Sequence, residues 1–493
     1  MKISEYLSEK KKYYLILGFI FSVVSIGRFN FPLLIFIWPY CFLEFLHQNE
    51  KKVIPILIVS LCLIFSNMLR WIGIYNHNDL YSLIVGIYYS VINIIPYIID
   101  DIIYNKISKC ASIFIFPLLV AFIEYIFEFV PIANNNVYAY ALRNNLQIIQ
   151  ICSLFGCYFL SFIIALFASI TNYSYNLYIK EKKISKFMYW YAIIILFITS
   201  FGSIRLLIPE RGERFNIAAA LGISNRMWEE EKESGFPIDV YISYMEKYII
   251  KANYSDAKVI IFAEEAFDIY AKDRKEIINK TAKLAEKYNI FVVLTLGVVY
   301  DTNYFKNEAI LISDRGNVLY NYEKRNLIPV MEYGAGYYTN MTDYKTFYTD
   351  LGYLGVVICY DINFPYYLNN LTNLGLDTLL IPSWDWDGLT EFHSTELRFR
   401  SIENGFNAMK STANGITLST DFKGRFLTYY QRYKCEDYFI LSTVYKKGAR
   451  TLYSYIGKFF NYLYLVALII VLIIGRYKMI KERNKGENKI KIK

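Results

Sequence analysis

GVVICYD, residues 355–361, is a short apolar run that ends in a cysteine followed by a tyrosine and an aspartate. An apolar run of this length, bounded by polar residues, predicts a buried β-strand with Cys359 at its carboxyl end. Two further runs have the same form and end immediately before Glu264 and before Lys324. The sequence therefore predicts three strands that each end in a reactive residue, which together supply a carboxylate, an ammonium and a thiol.

The residues around these runs, 214–455, alternate strand-like and helix-like patterns. Helical spacing of apolar residues predicts helices over 239–252 and 273–288, and a turn signal at 314–317 joins two of the predicted strands. The predicted strands cover 215–222, 259–263, 291–296, 309–313, 318–322, 355–358, 378–381, 415–419 and 438–443. Such alternation predicts an α/β domain with layered sheets. A segment rich in Gly and Tyr, 331–350, is a candidate lid over its site.

The rest of the chain has the composition of a membrane protein. Of its 493 residues, 55% are hydrophobic and only 20% are charged. Apolar segments that approach the ~20 residues needed to cross a bilayer lie at 14–28, 31–46, 53–75, 80–100, 110–130, 147–172, 188–208 and 457–475. We therefore predict a membrane domain over 1–209 with about seven transmembrane helices, a soluble domain over 210–455, and a C-terminal transmembrane helix with a basic tail over 456–493.

Positive charges predict the orientation of these helices, because Lys and Arg concentrate in cytoplasmic segments. They cluster before the first apolar segment, in alternate loops at 51–52, 106–109 and 180–186, and after the last segment at 476–493. Both termini are then cytoplasmic, and seven crossings place 210–455 outside the cytoplasm. The seven cysteines do not have the spacing of a disulfide framework, since five fall in or beside apolar segments and only Cys359 and Cys435 lie in the soluble domain.

Thiol chemistry needs a thiolate, which a neighbouring base and a neighbouring cation favour. Glu264 is the candidate base, and Lys324 is the candidate group that stabilises the thiolate and the oxyanion formed on attack. A backbone N–H that follows Cys359 is a second oxyanion donor. The alternative base is His393, since it is the only histidine in 210–455. No cluster of histidines suggests a metal site, so we expect neither a metal nor another cofactor.

The order and spacing of three short motifs resemble those of the nitrilase superfamily of carbon–nitrogen hydrolases. The motifs are Phe262-Ala263-Glu264, then Tyr322-Glu323-Lys324 continuing to Leu327-Ile328-Pro329 and Glu332, then Cys359-Tyr360-Asp361. With membrane segments on both sides, the chain resembles the apolipoprotein N-acyltransferase family. The resemblance also takes in Trp228, the run Arg400-Ser401-Ile402-Glu403 leading to Asn414-Gly415, and Thr451-Leu452-Tyr453.

This resemblance implies a fold and a set of roles. The fold is a polytopic α-helical membrane domain joined to a nitrilase-like αββα sandwich. Glu264 is then the general base, Lys324 stabilises the tetrahedral intermediate, and Cys359 carries a thioester. The supporting or substrate-binding residues are a second glutamate, a tyrosine, a carboxylate and a tryptophan near the acyl-chain site, which fall on Glu332, Tyr360, Asp361 and Trp228.

Five positions depart from the family pattern or complicate the match to it. Ala263 replaces the usual proline before the base, and Glu265 beside Glu264 leaves open which of the two is the base. Met331 replaces a common glycine. Phe406 and Lys410 replace the arginines expected after Glu403.

The expected function is N-acylation in the cytoplasmic (inner) membrane of a bacterium, with the catalytic domain on the extracytoplasmic side. A phospholipid donates the acyl chain, and the acceptor is the α-amine of the N-terminal lipid-modified cysteine of a diacylglyceryl-lipoprotein; no nucleic acid is expected as a partner. Two alternatives stay open. One is a membrane-tethered amidase of the same superfamily, and the other is a transporter or lipid-binding protein with an inactive nitrilase-like domain. The few charges in the apolar segments weigh against a transport pathway.

Overall fold

The computed structural model describes residues 9–49, 53–74, 79–132, 135–210, 212–223, 236–301, 304–386, 388–432 and 438–491. The chain divides into two compact units. One unit contains the described residues of 1–129, 134–207 and 456–493, and the other contains those of 130–133 and 208–455. We call them the helical unit and the sandwich unit.

The helical unit is built from eleven helices in its described part. They are α1 (Glu9–Val24), α2 (Leu34–His47), α3 (Val53–Trp71), α4 (Asp79–Ile103), α5 (Lys109–Ser112), α6 (Ile115–Ile126), α7 (Leu146–Ile149), α8 (Cys152–Phe155), α9 (Cys157–Glu181), α10 (Lys186–Leu207) and α15 (Leu452–Lys491, which begins in the sandwich unit). Short 3₁₀ turns cover Phe127–Phe129 and Tyr138–Leu142. The predicted segment 147–172 is interrupted at Gly156, whose φ is +79°, and the long helix α9 starts after it.

Six stretches in the described residues are long and apolar enough to cross a membrane. They are Val53–Trp71, Asp79–Ile103, Lys109–Phe129, Cys157–Glu181, Lys186–Leu207 and Phe459–Lys481. The last two expose most of their apolar side chains, as Leu196 and Ile473 show at 67% and 64% exposure. Large apolar side chains exposed along a whole helix fit a lipid solvent and not water. Helices α1 and α2 are shorter, at 16 and 14 residues.

Polar side chains inside the helical unit are hydrogen-bonded to one another. His47 Nε2 lies 2.8 Å from Asp100 Oδ2, and His47 Nδ1 lies 2.9 Å from Asn172 Oδ1. Asn172 Nδ2 donates in turn to Glu44 Oε2 over 2.6 Å. Since an unsatisfied polar group in an apolar surrounding is costly, these links tie α2, α4 and α9 together.

The sandwich unit contains two sheets, of seven and six strands. The first sheet has the order β13-β1-β2-β4-β5-β6, with β3 paired to β4, and the second has the order β12-β11-β10-β9-β8-β7. The strands are β1 (Arg214–Ala220), β2 (Ala257–Phe262), β3 (Phe267–Tyr270), β4 (Phe291–Asp301), β5 (Tyr304–Ile312), β6 (Val318–Glu323), β7 (Phe347–Thr349), β8 (Gly352–Val356), β9 (Thr378–Ser383), β10 (Asn407–Thr412), β11 (Gly415–Thr420), β12 (Phe426–Arg432) and β13 (Phe439–Tyr445). The helices are α11 (Ile238–Tyr254), α12 (Arg274–Tyr288), α13 (Pro365–Asn373) and α14 (Thr390–Asn404), with 3₁₀ turns over Ala271–Asp273 and Cys359–Asn363.

Alternation along the strands explains the layers. In β2, Val259 and Ile261 face the second sheet and join a core with Leu354, Val356 and other residues of β8 to β11. The intervening residues of β1, β2 and β4 form a separate core with α11 and α12, which cover the other face of the first sheet: Ala218, Ala220, Ile260, Phe262, Val292 and Leu294 pack with Tyr241, Met245, Tyr248, Ile277 and Leu284. Helices α13 and α14 pack with the second sheet through Leu368, Leu371 and Leu397. The predicted αββα sandwich is confirmed.

The predicted lid segment 331–350 has little regular structure before β7, but backbone contacts fix it. Phe305 N–H donates to the carbonyl of Gly336, and Tyr338 N–H donates to the carbonyl of Phe305, over 3.1 and 2.9 Å. Further along, Asn340 N–H donates to the carboxylate of Glu323 over 2.9 Å. The segment is therefore anchored at the start of β5 and the end of β6.

Candidate active site

Glu264 and Lys324 are brought together by the first sheet. Glu264 follows β2 and Lys324 follows β6, so both lie beyond the carboxyl ends of their strands. The Lys324 ammonium donates to Glu264 Oε1 over 2.7 Å, and both residues are buried. Asn307 Nδ2 donates to the same oxygen over 2.7 Å, and the Lys324 amide donates to the Asn307 carbonyl. The carboxylate is thus fixed by two donors on one of its oxygens.

Glu332 holds the other side of the lysine. Lys324 Nζ lies 2.6 Å from Glu332 Oε1, while Glu332 Oε2 accepts from the Ile328 amide over 2.6 Å. Burial alone would favour a neutral amine, but the carboxylates of Glu264 and Glu332 raise the pKa of Lys324 well above its ordinary value. Burial, only partly offset by Lys324, raises the pKa of Glu332. The lysine is therefore a fixed positive charge between two carboxyl groups.

Cys359 begins the 3₁₀ turn that follows β8. Its φ is +44°, a left-handed backbone conformation that residues other than glycine rarely adopt. Strained backbone of this kind is often stored at functional sites, and here it re-aims the thiol at the strand end. The thiol is buried, with Sγ 3.8 Å from the carbonyl oxygen of Trp384. Burial raises the pKa of the Cys359 thiol, the Glu264 charge raises it further, and the Lys324 charge opposes both.

Asp361 fixes this turn from inside the sandwich. Its Oδ2 accepts from the Tyr322 hydroxyl over 2.6 Å and from the Ile358 amide over 3.1 Å. Its Oδ1 accepts from both the amide and the side chain of Asn326 over 2.8 Å. Burial raises the pKa of the Asp361 carboxyl despite these donors. Asp361 therefore links the turn that carries the cysteine to the strand that carries Lys324.

Tyr360 lies on the other side of the same turn and packs edge-on against Phe364, with ring centroids 5.3 Å apart. It forms a small apolar cluster with Ile328, against which Met331, Phe364 and Trp386 pack. The structure thus groups Tyr360 with the segment that carries Glu332.

Glu264 and Glu265 differ in environment although they are adjacent. Glu265 has a φ of +50° and interacts with the Tyr337 hydroxyl, away from the lysine. Burial, together with the charges of Asp268 and Glu264, raises the pKa of Glu265 well above its ordinary value. Of the two glutamates, only Glu264 bonds to Lys324 through a hydrogen bond that the structure records.

Two residues singled out in the sequence cannot be placed. Trp228 lies in 224–235 and Cys435 lies in 433–437, both outside the described residues. The other predicted residues, Glu264, Lys324, Glu332, Tyr360 and Asp361, all lie in one region of the sandwich unit around Cys359. The six cysteines in the described ranges are free thiols.

A second polar cluster lies behind the cysteine, and the sequence did not predict it. Asp385 follows β9 and accepts from Ser383 Oγ and His393 Nδ1 over 2.8 Å each. Its other oxygen accepts from the Lys410 ammonium of β10 over 2.5 Å. Asp385 had the same signal as Glu264, a carboxylate immediately beyond a strand end, but the strand was predicted to stop at 381. Asn307 carried no comparable signal, since it lies inside β5.

The contacts of Asp385 also bear on whether the residues of this cluster form a metal site. Among the described residues, a single trio of His, Cys, Asp or Glu side chains brings ligand atoms within 4.8 Å of one another, namely Cys359, Asp385 and His393. Since Lys410 already places a positive charge against Asp385, we treat this trio as a hydrogen-bonded network and assign it no metal.

Comparison with known proteins gives two family matches in different parts of the chain. The profile described as "Apolipoprotein N-acyltransferase N-terminal domain" matches residues 17–170, and the profile described as "Carbon-nitrogen hydrolase" matches residues 237–435. The first match lies in the helical unit apart from the short segment 130–133, and the second lies in the sandwich unit and contains the whole candidate site.

The curated relatives are an N-acyltransferase and a protein named as a hydrolase. An apolipoprotein N-acyltransferase of Geobacter metallireducens is 24% identical over 313 residues, which is 58% of this chain and 59% of the relative. A protein named "Hydrolase in agr operon" from Staphylococcus aureus is 27% identical over 147 residues, 29% of this chain and 54% of the relative. The chain thus spans between half and three fifths of the curated relatives it matches.

Among solved structures, an amidase from Nesterenkonia sp. is 17% identical, covers 49% of this chain and 94% of its own, and has a TM-score of 0.41.

Proposed function

Because the chain belongs to the apolipoprotein N-acyltransferase family of the nitrilase superfamily and is a multi-pass bacterial membrane protein, we propose that it transfers an acyl chain through a thioester on Cys359. The donor is a membrane phospholipid. The acceptor is the α-amine of the lipid-modified N-terminal cysteine of a lipoprotein. The observation that carries the proposal is the buried contact between Glu264 and Lys324, 2.7 Å long, whose two charges both act on the Cys359 thiol.

In the first half-reaction, Cys359 Sγ attacks the carbonyl carbon of the phospholipid ester and Glu264 takes the thiol proton. This transfer is needed because the raised pKa of the thiol keeps it protonated at neutral pH. The carbonyl oxygen becomes an oxyanion, which the Lys324 ammonium stabilises. The C–O bond then breaks, and Glu264 returns the proton to the leaving alkoxide. A lysophospholipid departs and a thioester remains on Cys359.

In the second half-reaction, the acceptor amine attacks the thioester carbon. Glu264 takes a proton from the nitrogen, the C–S bond breaks, and the proton ends on the Cys359 sulfur as the amide is released. The same base and the same oxyanion donor thus serve both halves, as expected when two related tetrahedral intermediates form in one site. Glu332, Tyr360 and Asp361 keep the lysine and the cysteine turn in place.

The proposed reaction is compatible with a chain that combines membrane-length helices with a sandwich unit that carries the candidate site. Both proposed substrates are anchored in a bilayer, and the chain carries helices of membrane length before and after the sandwich unit. A membrane body is not needed for hydrolysis of a soluble amide. We propose that the site lies on the extracytoplasmic side of the cytoplasmic membrane.

The test is detection of the acyl-enzyme. The purified full-length protein is incubated with a phospholipid that carries a labelled acyl chain, and intact mass is measured. We expect one added acyl group in the wild type and none in Cys359→Ala. The matched control is Cys110→Ala, which removes an exposed cysteine of the helical unit and leaves the adduct unchanged. An adduct on Cys359→Ala would exclude this nucleophile.

A second candidate is hydrolysis of a C–N bond, favoured by the carbon–nitrogen hydrolase match over 237–435. The acyl donor would then be an amide whose amine leaves in the first half-reaction, and water would replace the acceptor amine in the second. Incubation with phospholipid and a synthetic diacylated lipopeptide distinguishes the two. Transfer gives an N-acylated lipopeptide, whereas free fatty acid with unmodified lipopeptide would overturn the transferase proposal.

A further inference from the structure

The network behind the nucleophile consists of four side chains from three elements. Asp385 and Ser383 lie at the end of β9, His393 lies in α14 and Lys410 lies in β10; all four are buried, with Lys410 fully inaccessible. Asp385 accepts from all three of the others, over 2.5 to 2.8 Å. The charge of Lys410, together with the hydrogen bonds from Lys410 and His393, outweighs burial and holds the pKa of the Asp385 carboxyl well below its usual range. A permanently charged aspartate is therefore held beside the thiol.

This network contacts the reactive groups directly. The Ser383 carbonyl accepts from the Glu264 amide over 3.3 Å, and a carboxylate oxygen of Asp385 lies within 4.8 Å of Cys359 Sγ. The Trp384 carbonyl is 3.8 Å from Cys359 Sγ. The segment 383–385 thus touches both the nucleophile and the backbone of its proposed base. Its own position depends on Asp385, because the side chain of this residue anchors the segment to β10 and α14.

The charge of Asp385 opposes ionisation of the cysteine. A like charge beside a thiol raises its pKa, and Asp385 has this effect on Cys359. Lys410 is the fixed cation that offsets it, in the way that Lys324 offsets Glu264. The other ionisable groups near the cysteine and this network are Glu332 and Asp361 on one side, and His393, Glu396 and Arg400 of α14 on the other. Of the groups behind the cysteine, Lys410 is the cation in contact with Asp385 through the shortest recorded bond.

We propose that Lys410 is a positioning residue for the reaction, which acts through Asp385 to hold the segment 383–385 against Cys359 and to cancel the negative charge that the nucleophile faces. The proposal deepens the acyl-transfer function and rests on it for its biological meaning. In the sequence, Lys410 stands out only as a lysine at a position where the family pattern has arginine. The contact with Asp385 gives that position a physical role.

The experiment measures the alkylation rate of Cys359 by iodoacetamide as a function of pH, followed by intact mass in the full-length detergent-solubilised protein. The variants are Lys410→Met, Lys410→Arg, Asp385→Asn and the double variant Asp385→Asn with Lys410→Met. We expect Lys410→Met to slow alkylation by about tenfold at each pH, the effect of one uncompensated like charge near a thiol. Lys410→Arg keeps the charge and restores most of the rate.

The double variant separates charge from packing. It buries no uncompensated charge, so we expect its alkylation rate to return to within about threefold of the wild type. A role in packing alone predicts the opposite, namely that the two changes add and the double variant is slowest; that result would overturn the proposal. If Lys410→Met does not fold, the double variant decides alone, since an alkylation rate tenfold below the wild type contradicts a charge role. Alkylation requires no phospholipid, so it is independent of whether a thioester forms.

Discussion

At the residue scale, the adjacent glutamates show how a structure separates two positions that a sequence leaves equivalent. The motif around Glu264 predicted a base but could not distinguish it from Glu265. The positive φ of Glu265 turns its side chain toward Tyr337, while Glu264 stays on the lysine. The spacing of residues after β2 does not show which way this turn points the two side chains. Their directions depend on how β3 and the lid segment pack.

We therefore expect Glu264→Gln to reduce acyl-enzyme formation by about 10²–10⁴-fold, the usual contribution of a general base, and Glu265→Gln to leave most of it. The substitution keeps an acceptor for the hydrogen bond from Asn307, and it removes the ability to take a proton together with the negative charge beside Lys324. Single-turnover transfer from labelled phospholipid measures the effect. His393→Gln completes the set, because a larger loss there than in Glu264→Gln would assign the base to the histidine.

The buried carboxyl of Glu396 leads to a prediction about how the stability of the folded protein changes with pH. This prediction does not depend on the acyl-transfer reaction. Burial raises the pKa of this carboxyl from 4.5 to about 7, although His393, Arg400 and Lys410 oppose the shift. Since the folded protein then holds a proton that the unfolded chain releases, stability falls as pH rises from the unfolded pKa toward about 7. The loss is on the order of 3 kcal/mol.

Glu396→Gln removes that titration. We expect the variant to be more stable than the wild type above about pH 7, with the difference shrinking toward about pH 5. Thermal unfolding midpoints of the two proteins at these pH values measure it. The neighbouring raised carboxyl of Asp268, with a pKa of about 7, is present in both proteins and cancels in the difference. A gap that stays constant with pH would contradict the assignment.

At the scale of elements, the apolar runs predicted nine of the thirteen strands in the described part of the chain, and they missed the short β3 and β7, the strand β12 and the polar strand β10. The runs that end at Glu264, Lys324 and Cys359 are rich in apolar residues, so their burial could be predicted from the sequence itself. Strand β10 is buried over all six positions, yet four of them are Asn407, Lys410, Ser411 and Thr412. Each finds a partner elsewhere in the fold: Asn407 donates to the Tyr445 carbonyl, and Ser411 donates to the Ala220 carbonyl. Such partners exist only after folding, so neither this strand nor the network behind Cys359 could be predicted from periodicity.

Helix α10 offers a test of close packing in the helical unit. A Cβ added at Gly202 would lie 1.8 Å from the carbonyl oxygen of Gln147, a backbone atom that cannot rotate away. We expect Gly202→Ala to destabilise the unit by about 1–3 kcal/mol, the range for overpacking. The matched control is Ile204→Ala on the same helix, since Ile204 is 61% exposed. Thermal unfolding in detergent measures both, and equal midpoints for the two variants would contradict this packing.

At the scale of the whole molecule, the orientation of the sandwich unit follows from counting crossings. Five stretches of membrane length precede residue 210 in the described part of the chain. Helices α1 and α2 have 16 and 14 residues, about 24 and 21 Å of helix, which is less than the ~30 Å of a hydrocarbon core. If the pair forms a hairpin, either both helices cross or neither does, and the total before residue 210 is seven or five. Both totals are odd, so the proposal that the sandwich unit lies on the side opposite the N-terminus does not depend on whether this pair crosses.

Basic residues before the first segment and after the last favour cytoplasmic termini, and we therefore predict that the sandwich unit lies outside the cytoplasm. We expect Tyr254→Cys, at a site 89% exposed on that unit, to react with a membrane-impermeant maleimide in intact spheroplasts. Lys183→Cys, in the basic loop between α9 and α10, should react only after lysis. Labelling of the protein without either added cysteine is the background. Reaction of Lys183→Cys in intact spheroplasts, with Tyr254→Cys protected, would show the opposite orientation. The Cys359 thiol and its lipoprotein acceptor would then lie on opposite sides of the bilayer. Lipoprotein acylation at the outer face would be excluded.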